Sequence, residues 1–327
     1  MDTDVKDKDV SGFDNSQHSF GKDDEKETRV SLHGVFDGHG GDVAAKEVSS
    51  KLESIFFSKL FDNSSLGIKR ALYDAVYGAE QHLMKVQPLL RDDSGTTACV
   101  VALDMDQGVL YCANVGDSRA ILCRGGTAMA LSEDHKADRP DEVARVVDTG
   151  GFVSYGRVLR VLAVGRALGD PDMKVPPNKF VSFIPDIRIV ELHPEDEFIV
   201  VACDGLFDVM SNQEIIEFIK IRVVKEMDLL LICQKLVRHA LENRNSQDNV
   251  SVIIIRLVPL TLEEEISESS EFSNSKPISA DDFIQGTDAA NGPVAIHVLS
   301  PSVQAAVQAS RLRRGNSSAT IQVPRDI

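Results

Sequence analysis

The chain has 327 residues, 43% of them hydrophobic and 26% charged, so it can bury a sizeable core as one large domain or two ordinary ones. Its formal net charge of −16 argues against nucleic acid and anionic membrane surfaces as partners, because both need clustered Lys and Arg. No apolar run approaches the about 18 residues of a membrane span, and the five cysteines show no CxxC spacing. We therefore expect a soluble, monomeric protein of the cytoplasm and/or nucleus, with reduced thiols and no membrane span.

The first half of the chain predicts one strand, two helices and a group of short strands. Residues 1–27 are polar and charged, and we expect them to be poorly ordered. A strand is predicted over Val30–Phe36, and apolar residues at three- and four-residue spacing predict amphipathic helices over 43–56 and 68–83. Short β-branched or apolar runs separated by turn residues between 96 and 123 predict an antiparallel meander.

The second half predicts a helix, a long loop and a second group of strands and helices. Pro140 begins a helix, and the Gly-, Pro- and Arg-rich stretch 156–179 is typical of a long functional loop. Strands are predicted over 197–203 and 249–257, with helices between them. Because strands and helices are segregated rather than alternating, the predicted class is α+β, a domain over 28–258. The tail over 259–327 offers little to a core and is predicted to be disordered.

Aspartate stands beside a small or amide residue at four predicted strand ends: Asp37-Gly38, Gly116-Asp117, Asp204-Gly205 and Asp248-Asn249. One such end is an ordinary turn, but four suggest that carboxylates gather at one end of the strands. Several like charges held together are costly unless cations neutralise them, and carboxylate oxygen suits Mg²⁺ or Mn²⁺. The pattern therefore favours a site for two divalent ions about 3.5–4 Å apart, beside a histidine, His39, suited to proton transfer.

Six motifs carry a family resemblance: VFDGHGG at Val35–Gly41, SGTTA at Ser94–Ala98, NVGDSRA at Asn114–Ala120, LRVLAVGRALGD at Leu159–Asp170, ACDGLFD at Ala202–Asp208 and SQDNV at Ser246–Val250. In order and spacing they resemble the type 2C (PPM) metal-dependent serine/threonine protein phosphatases over residues 30 to 257. The resemblance implies a four-layer α-β-β-α sandwich of two antiparallel sheets, with two Mg²⁺ or Mn²⁺ ions at one end and phosphoproteins as substrates.

The resemblance also implies the metal ligands. Asp37 is expected to bridge the two ions, and Gly38 to offer its backbone carbonyl to one of them. Asp204 and Asp248 are expected to bind one ion. Asp117 is expected to hold a weaker third ion together with Asp204 and Asp208.

Asp208 follows Asp204 by four residues and reaches the same site only if the intervening turn folds back; otherwise it is an acid flanking a helix. His39 is expected to be the general acid for the departing serine or threonine oxygen. Arg166 is expected either to contact substrate or to anchor the loop through hydrogen bonds.

The sequence departs from the family before its first motif. Family members carry a glycine-rich strand with a phosphate-binding Arg, then a Met-Glu-Asp-like segment that supplies a metal carboxylate. Here Asp14 is the residue that could replace the Glu, and Arg29 lies too close to the first strand to replace the Arg.

Three explanations of this departure remain open: a truncated or mis-spliced product, a divergent active enzyme, and a pseudophosphatase that binds phosphoproteins without hydrolysing them. The retained Asp37, His39, Asp204 and Asp248 favour a phosphatase that acts on phosphoserine and phosphothreonine through metal-activated water.

Overall fold

The computed structural model describes residues 30–62, 67–174, 179–225, 227–257 and 318–321. The strands are β1 (Val30–Val35), β2 (Gly38–His39), β3 (Gly95–Thr96), β4 (Ala98–Asp104), β5 (Val109–Val115), β6 (Arg119–Arg124), β7 (Thr127–Ala130), β8 (Val153–Ser154), β9 (Arg157–Val158), β10 (Leu168–Gly169), β11 (Asp186–Glu191), β12 (Asp196–Ala202), β13 (Val252–Arg256) and β14 (Ser318–Ile321). The helices are α1 (Val43–Asp62), α2 (Gly67–Leu90), α3 (Pro140–Asp148), α4 (Asp204–Phe207), α5 (Asn212–Val223) and α6 (Leu229–Arg238), with a 3₁₀ turn at Pro171–Met173 and a π turn at His239–Asn243.

Two antiparallel sheets form the centre of the fold. One has the strand order β1-β4-β5-β11, and the other β14-β13-β12-β6-β7. Their facing sides share a core that includes Val35, Val101, Leu122 and Val201, all at most 3% exposed. Alternate residues of the strands point to opposite faces, so the other faces of both sheets are left to be covered by helices.

Each outer face is covered by a pair of helices. Helices α1 and α2 bury residues such as Phe56 and Leu72 against β1, β4 and β5. Helices α5 and α6 bury Ile216 and Leu236 against β6, β12 and β13. The predicted α+β class and the α-β-β-α layering are therefore confirmed.

The segment predicted as a disordered tail contains four described residues, and these form a strand. Ser318–Ile321 pairs antiparallel with β13, with residue 321 opposite Val252. At these four residues the structure differs from the prediction, because the exposed edge of β13 supplies backbone partners that no local pattern reveals. The rest of that tail lies outside the described residues. So do residues 1–27, including Asp14.

All five cysteines are free, in agreement with the predicted reduced thiols, and all five are buried. Across the ranges that the structure describes, no helix is long and apolar enough to cross a membrane.

Candidate metal centre

The antiparallel register brings the predicted aspartates to one end of the sandwich. Ala202, the last residue of β12, lies opposite the first residues of both β6 and β13, Arg119 and Val252. Asp204 therefore lies just beyond the same sheet end as Asp117 and Asp248.

Two contacts tie the turn after β12 to the segment before β13. A Cβ on Gly205 would lie 2.1 Å from the backbone oxygen of Asn249, so only glycine permits this approach. Ser246 Oγ donates a hydrogen bond of 2.7 Å to the Gly205 carbonyl. Together these contacts hold Asp204 and Asp248 in adjacent turns.

Asp37 reaches the same site from the other sheet. It follows β1, and its backbone N–H donates to Thr97 Oγ1 at 3.1 Å while its carbonyl accepts from Thr97 N at 2.9 Å. One oxygen each of Asp37 and Asp204 and the Cys203 sulfur all lie within 4.8 Å of one another. The two sheets thus each supply one carboxylate to a shared position.

The electrostatics of Asp204 show that like charges meet here. The pKa of Asp204 is raised to about 6, first by burial and then by the charge of Asp117; Lys136 opposes the shift, and Asp248 and Asp208 add to it. Burial also raises the pKa of the Cys203 thiol well above its ordinary value, with Asp37 and Asp204 adding to the shift. Cys203 is therefore a neutral thiol, and it donates to the Asn249 carbonyl at 3.3 Å.

One side of this carboxylate cluster already holds a cation. The Lys136 ammonium lies 2.7 Å from an oxygen of Asp117, 3.7 Å from one of Asp204 and 3.6 Å from one of Asp208. Burial would lower the pKa of Lys136, but the carboxylates, Asp117 first, outweigh burial and raise it. The turn after Asp204 does fold back, because Asp208 N donates to the Asp204 carbonyl at 2.8 Å.

The donor set fits divalent cations on the Asp37 side of Asp204. Asp37, Asp204 and Asp248 offer the hard carboxylate oxygens that Mg²⁺ and Mn²⁺ prefer, while a ligand from the Gly38 carbonyl stays a prediction. Cys203, protonated and soft, does not belong to such a set. Asp117 and Asp208 are differently placed, since an ammonium already stands between them.

His39 is held by a carboxylate that the sequence did not reveal. Its Nε2 lies 2.8 Å and 3.0 Å from the two oxygens of Asp170. β3 runs between β2 and β10, and a Cβ on Gly95 would lie 2.3 Å from His39 Nε2 and 2.1 Å from Asp170 Oδ2. Glycine at 95 is therefore required for the pair to form.

A buried ion pair between α2 and the segment after Asp170 fixes the backbone next to Asp170. Glu80, 2% exposed, pairs with Lys174 at 2.7 Å, and its other oxygen accepts from Gly169 N at 2.9 Å. Burial lowers the pKa of Lys174, while Glu80 raises it. Since Lys174 also donates to the Ala167 carbonyl at 2.7 Å, the turn that presents Asp170 is bound on both sides.

For the phosphopeptide hydrolysis that the motif resemblance implies, we expect Asp170→Asn to lower kcat by about 10- to 100-fold, because His39 loses the carboxylate that orients its ring. The measurement is steady-state hydrolysis at saturating Mn²⁺, with Mn²⁺ affinity determined in parallel. A role confined to folding would instead lower the melting temperature with little change in kcat per folded molecule. Asp172→Asn, two residues along the same turn, is the matched control.

Arg166 makes structural contacts in this structure. Its guanidinium donates to Glu142 at 2.6 Å, to Asp186 at 2.9 Å and to the Ile184 carbonyl at 3.0 Å. These bonds tie the described part of the loop over 156–179, hereafter called the flap, to α3 and to the start of β11. They correspond to the anchoring role; the substrate contact stays a prediction.

Sequence reasoning missed Lys136 and Asp170 as members of the site. Asp170 closes one of the six motifs, so its position was in view, but nothing local connects it with a histidine 131 residues away. Lys136 follows a histidine in a segment without recognisable periodicity. The carboxylates in the described ranges that were predicted as ligands all lie at the same end of the sandwich.

Two stacked antiparallel sheets flanked by helix pairs, with carboxylates from both sheets around a cation position, define a class of β-sandwich protein with an acidic site at one end. The family model for Protein phosphatase 2C matches residues 4–250, beginning within the segment predicted to be poorly ordered. This chain belongs to the protein phosphatase 2C family.

Individual relatives agree with this assignment. Protein phosphatase 2C homolog 2 of Schizosaccharomyces pombe is 38% identical over 242 residues, covering 69% of this chain and 63% of that relative. Protein phosphatase 1B of Mus musculus is 34% identical over 289 residues, covering 82% of this chain and 73% of the relative. The chain thus spans 63% of the S. pombe relative's length, and 63% and 53% of the homologs from Aspergillus flavus and Hypocrea jecorina.

Solved structures show the same fold. A C. elegans sex determining protein has a TM-score of 0.61 at 28% identity, covering 69% of this chain and 56% of that one. Serine-threonine phosphatase 2C from Toxoplasma gondii has a TM-score of 0.61 at 23% identity, covering 69% and 84%, a likeness of fold alone.

Proposed function

We propose that this chain hydrolyses phosphoserine and phosphothreonine monoesters on proteins, with Mg²⁺ or Mn²⁺ held by Asp37, the Gly38 carbonyl, Asp204 and Asp248. The observation that carries the proposal is the meeting of Asp37 and Asp204 from opposite sheets, within 4.8 Å, beside the His39–Asp170 pair. Divalent ions, when bound there, supply electrostatic neutralisation of the phosphate and activate water as the nucleophile.

The chain's own contribution at the leaving group is made by His39. A carboxylate only accepts hydrogen bonds, so Asp170 fixes the proton of His39 on Nε2 and leaves Nδ1 to exchange a proton with the substrate. When protonated, His39 gives its Nδ1 proton to the departing serine or threonine oxygen. Asp170 orients the ring and does not itself contact the substrate.

The neighbouring carboxylates of the site repel one another when they are ionised and no metal is bound. Asp204, with its raised pKa, is costly as an anion in the metal-free protein. When a cation is bound, the same ionised carboxylate becomes favourable, because it then pairs with an opposite charge. Such a site is expected to bind cations more weakly as pH falls below about 6, where the proton competes for Asp204.

The test is steady-state hydrolysis of a phosphothreonine peptide by the full chain, with Mn²⁺ and Mg²⁺ titrated and EDTA as the metal-free condition. We expect turnover that rises with metal concentration and is abolished by EDTA, with a phosphotyrosine peptide of the same sequence as control. Metal binding without turnover contradicts the proposal and favours a pseudophosphatase that binds phosphoproteins.

A further inference from the structure

The Lys136 ammonium lies among three carboxylates. It donates to Asp117 at 2.7 Å, and its distances to Asp204 and Asp208 are 3.7 and 3.6 Å. Of these four side chains, Asp117 is 6% exposed and Asp204 17%, so two of the negative charges are poorly reached by solvent. A cation at this position therefore stabilises the charges of Asp117 and Asp204, which water solvates poorly.

The position of Lys136 is built into the fold by its neighbour. His135 is fully buried; its Nδ1 accepts from Gly116 N at 3.1 Å, and its own backbone N–H donates to the Gly116 carbonyl at 2.9 Å. Gly116 directly precedes Asp117. The hydrogen bonds between His135 and Gly116 therefore fix the backbone on both sides of the Lys136–Asp117 pair. The position of Lys136 does not depend on the conformation of a surface side chain alone.

A divalent ion between Asp117, Asp204 and Asp208 would meet this ammonium at close range. At a separation of about 4 Å two like charges repel by several times the thermal energy in a partly buried setting. Both cations would also compete for the same oxygens, since Lys136 already uses an Asp117 oxygen at hydrogen-bond distance. An ion can bind here only if the Lys136 ammonium moves away from the three carboxylates.

We propose that Lys136 is the resident counter-cation of Asp117, Asp204 and Asp208, and that it excludes a third divalent ion from this cluster. The inference rests on the proposed metal centre. In that centre the ions bind on the Asp37 side of Asp204, and Lys136 occupies the opposite side. Lys136 has a second effect there, since it lowers the cost of the buried Asp204 charge before any ion arrives.

The experiment counts Mn²⁺ ions bound per full chain, without substrate, from the free Mn²⁺ signal in electron paramagnetic resonance. Lys136→Met keeps the aliphatic stem and removes the charge, and we expect it to bind one more Mn²⁺ than the wild type, at least about tenfold more tightly at that cluster. The double variant Lys136→Met/Asp117→Asn is expected to lose the extra ion. Lys136→Arg and the exposed Lys69→Met are expected to bind as the wild type does.

A second variant keeps the inference falsifiable if Lys136→Met does not fold. In the otherwise unaltered chain Asp117→Asn should leave the number of bound Mn²⁺ ions unchanged, because no ion uses Asp117. Loss of an ion in Asp117→Asn, or an unchanged ion count in folded Lys136→Met, would overturn the inference. Turnover plays no part in this count, so a wild type that binds Mn²⁺ but does not hydrolyse phosphopeptide contradicts the proposed function alone.

Discussion

Asp204→Ala is expected to lower metal-dependent hydrolysis of a phosphothreonine peptide by about 10³-fold or more. The carboxylate lies where Asp37 from one sheet meets the Asp117 and Asp248 turns of the other, so its loss removes the ligand shared by most of the site. Metal ions supply several kcal/mol of transition-state charge stabilisation, and about 4 kcal/mol corresponds to a factor of 10³ in rate. The measurement is kcat/KM over a Mn²⁺ titration.

The control for this variant is Asp148→Ala, which removes an exposed carboxylate at the end of α3. It should retain wild-type kcat/KM and wild-type Mn²⁺ affinity. Turnover of Asp204→Ala within tenfold of the wild type would show that the site does not work through a cation held by Asp204.

The Asp204→Asn variant distinguishes the loss of a metal ligand from a loss of folding stability. Because the folded pKa of Asp204, about 6, lies above the unfolded value of 3.8, the folded chain is destabilised by this group at pH 7. In EDTA the Asn variant should therefore melt at a higher temperature than the wild type at pH 7. The gap should close as pH falls from 6 towards 4, since Asp204 then becomes neutral in the folded wild type. Equal melting temperatures at pH 7 would contradict this account of the charge.

Glu142→Ala is expected to destabilise the chain by up to about 3–5 kcal/mol, because it leaves Arg145 without a carboxylate partner and removes the buried carboxylate that Arg166 and Arg139 share. Glu142 is 1% exposed and accepts from Arg166 at 2.6 Å and from Arg145 at 2.8 Å, with Arg139 at 3.6 Å. These arginines hold the flap to α3, since Arg145 also donates to the Gly165 and Phe180 carbonyls. The measurement is the free energy of unfolding from urea denaturation.

Asp141→Ala is the matched control, since Asp141 pairs with one of the same arginines, Arg139, at 2.6 Å but is 58% exposed. An exposed pair of this kind is worth about 0–1 kcal/mol, so the two neighbouring acids should differ several-fold in effect. A loss in Glu142→Ala no larger than in Asp141→Ala would mean that the flap is held by the packing of Val158 and Val164 against Val146 of α3 and not by the ion pairs of Glu142.

The parts of the fold that were predicted correctly are those with a local physical cause. The apolar run of β1 and the three- and four-residue spacing of apolar residues in α1 and α2 indicate which side of each element is buried. Ser211 and Glu214 form a capping box at the start of α5, and its hydrogen bonds join residues only three apart, so its cause is equally local. The strand at Ser318–Ile321 has no such local cause and was missed.

The sequence by itself determined the α+β class, the order of the elements and the strand ends that carry aspartate. Apolar periodicity and turn residues act over a few positions and can be read directly. Only the tertiary structure decided that His39 pairs with Asp170 and that Lys136 lies between Asp117, Asp204 and Asp208. Each of these contacts joins residues far apart in the chain, and it forms because the register of separate strands and the packing of two sheets bring them to one end of the sandwich.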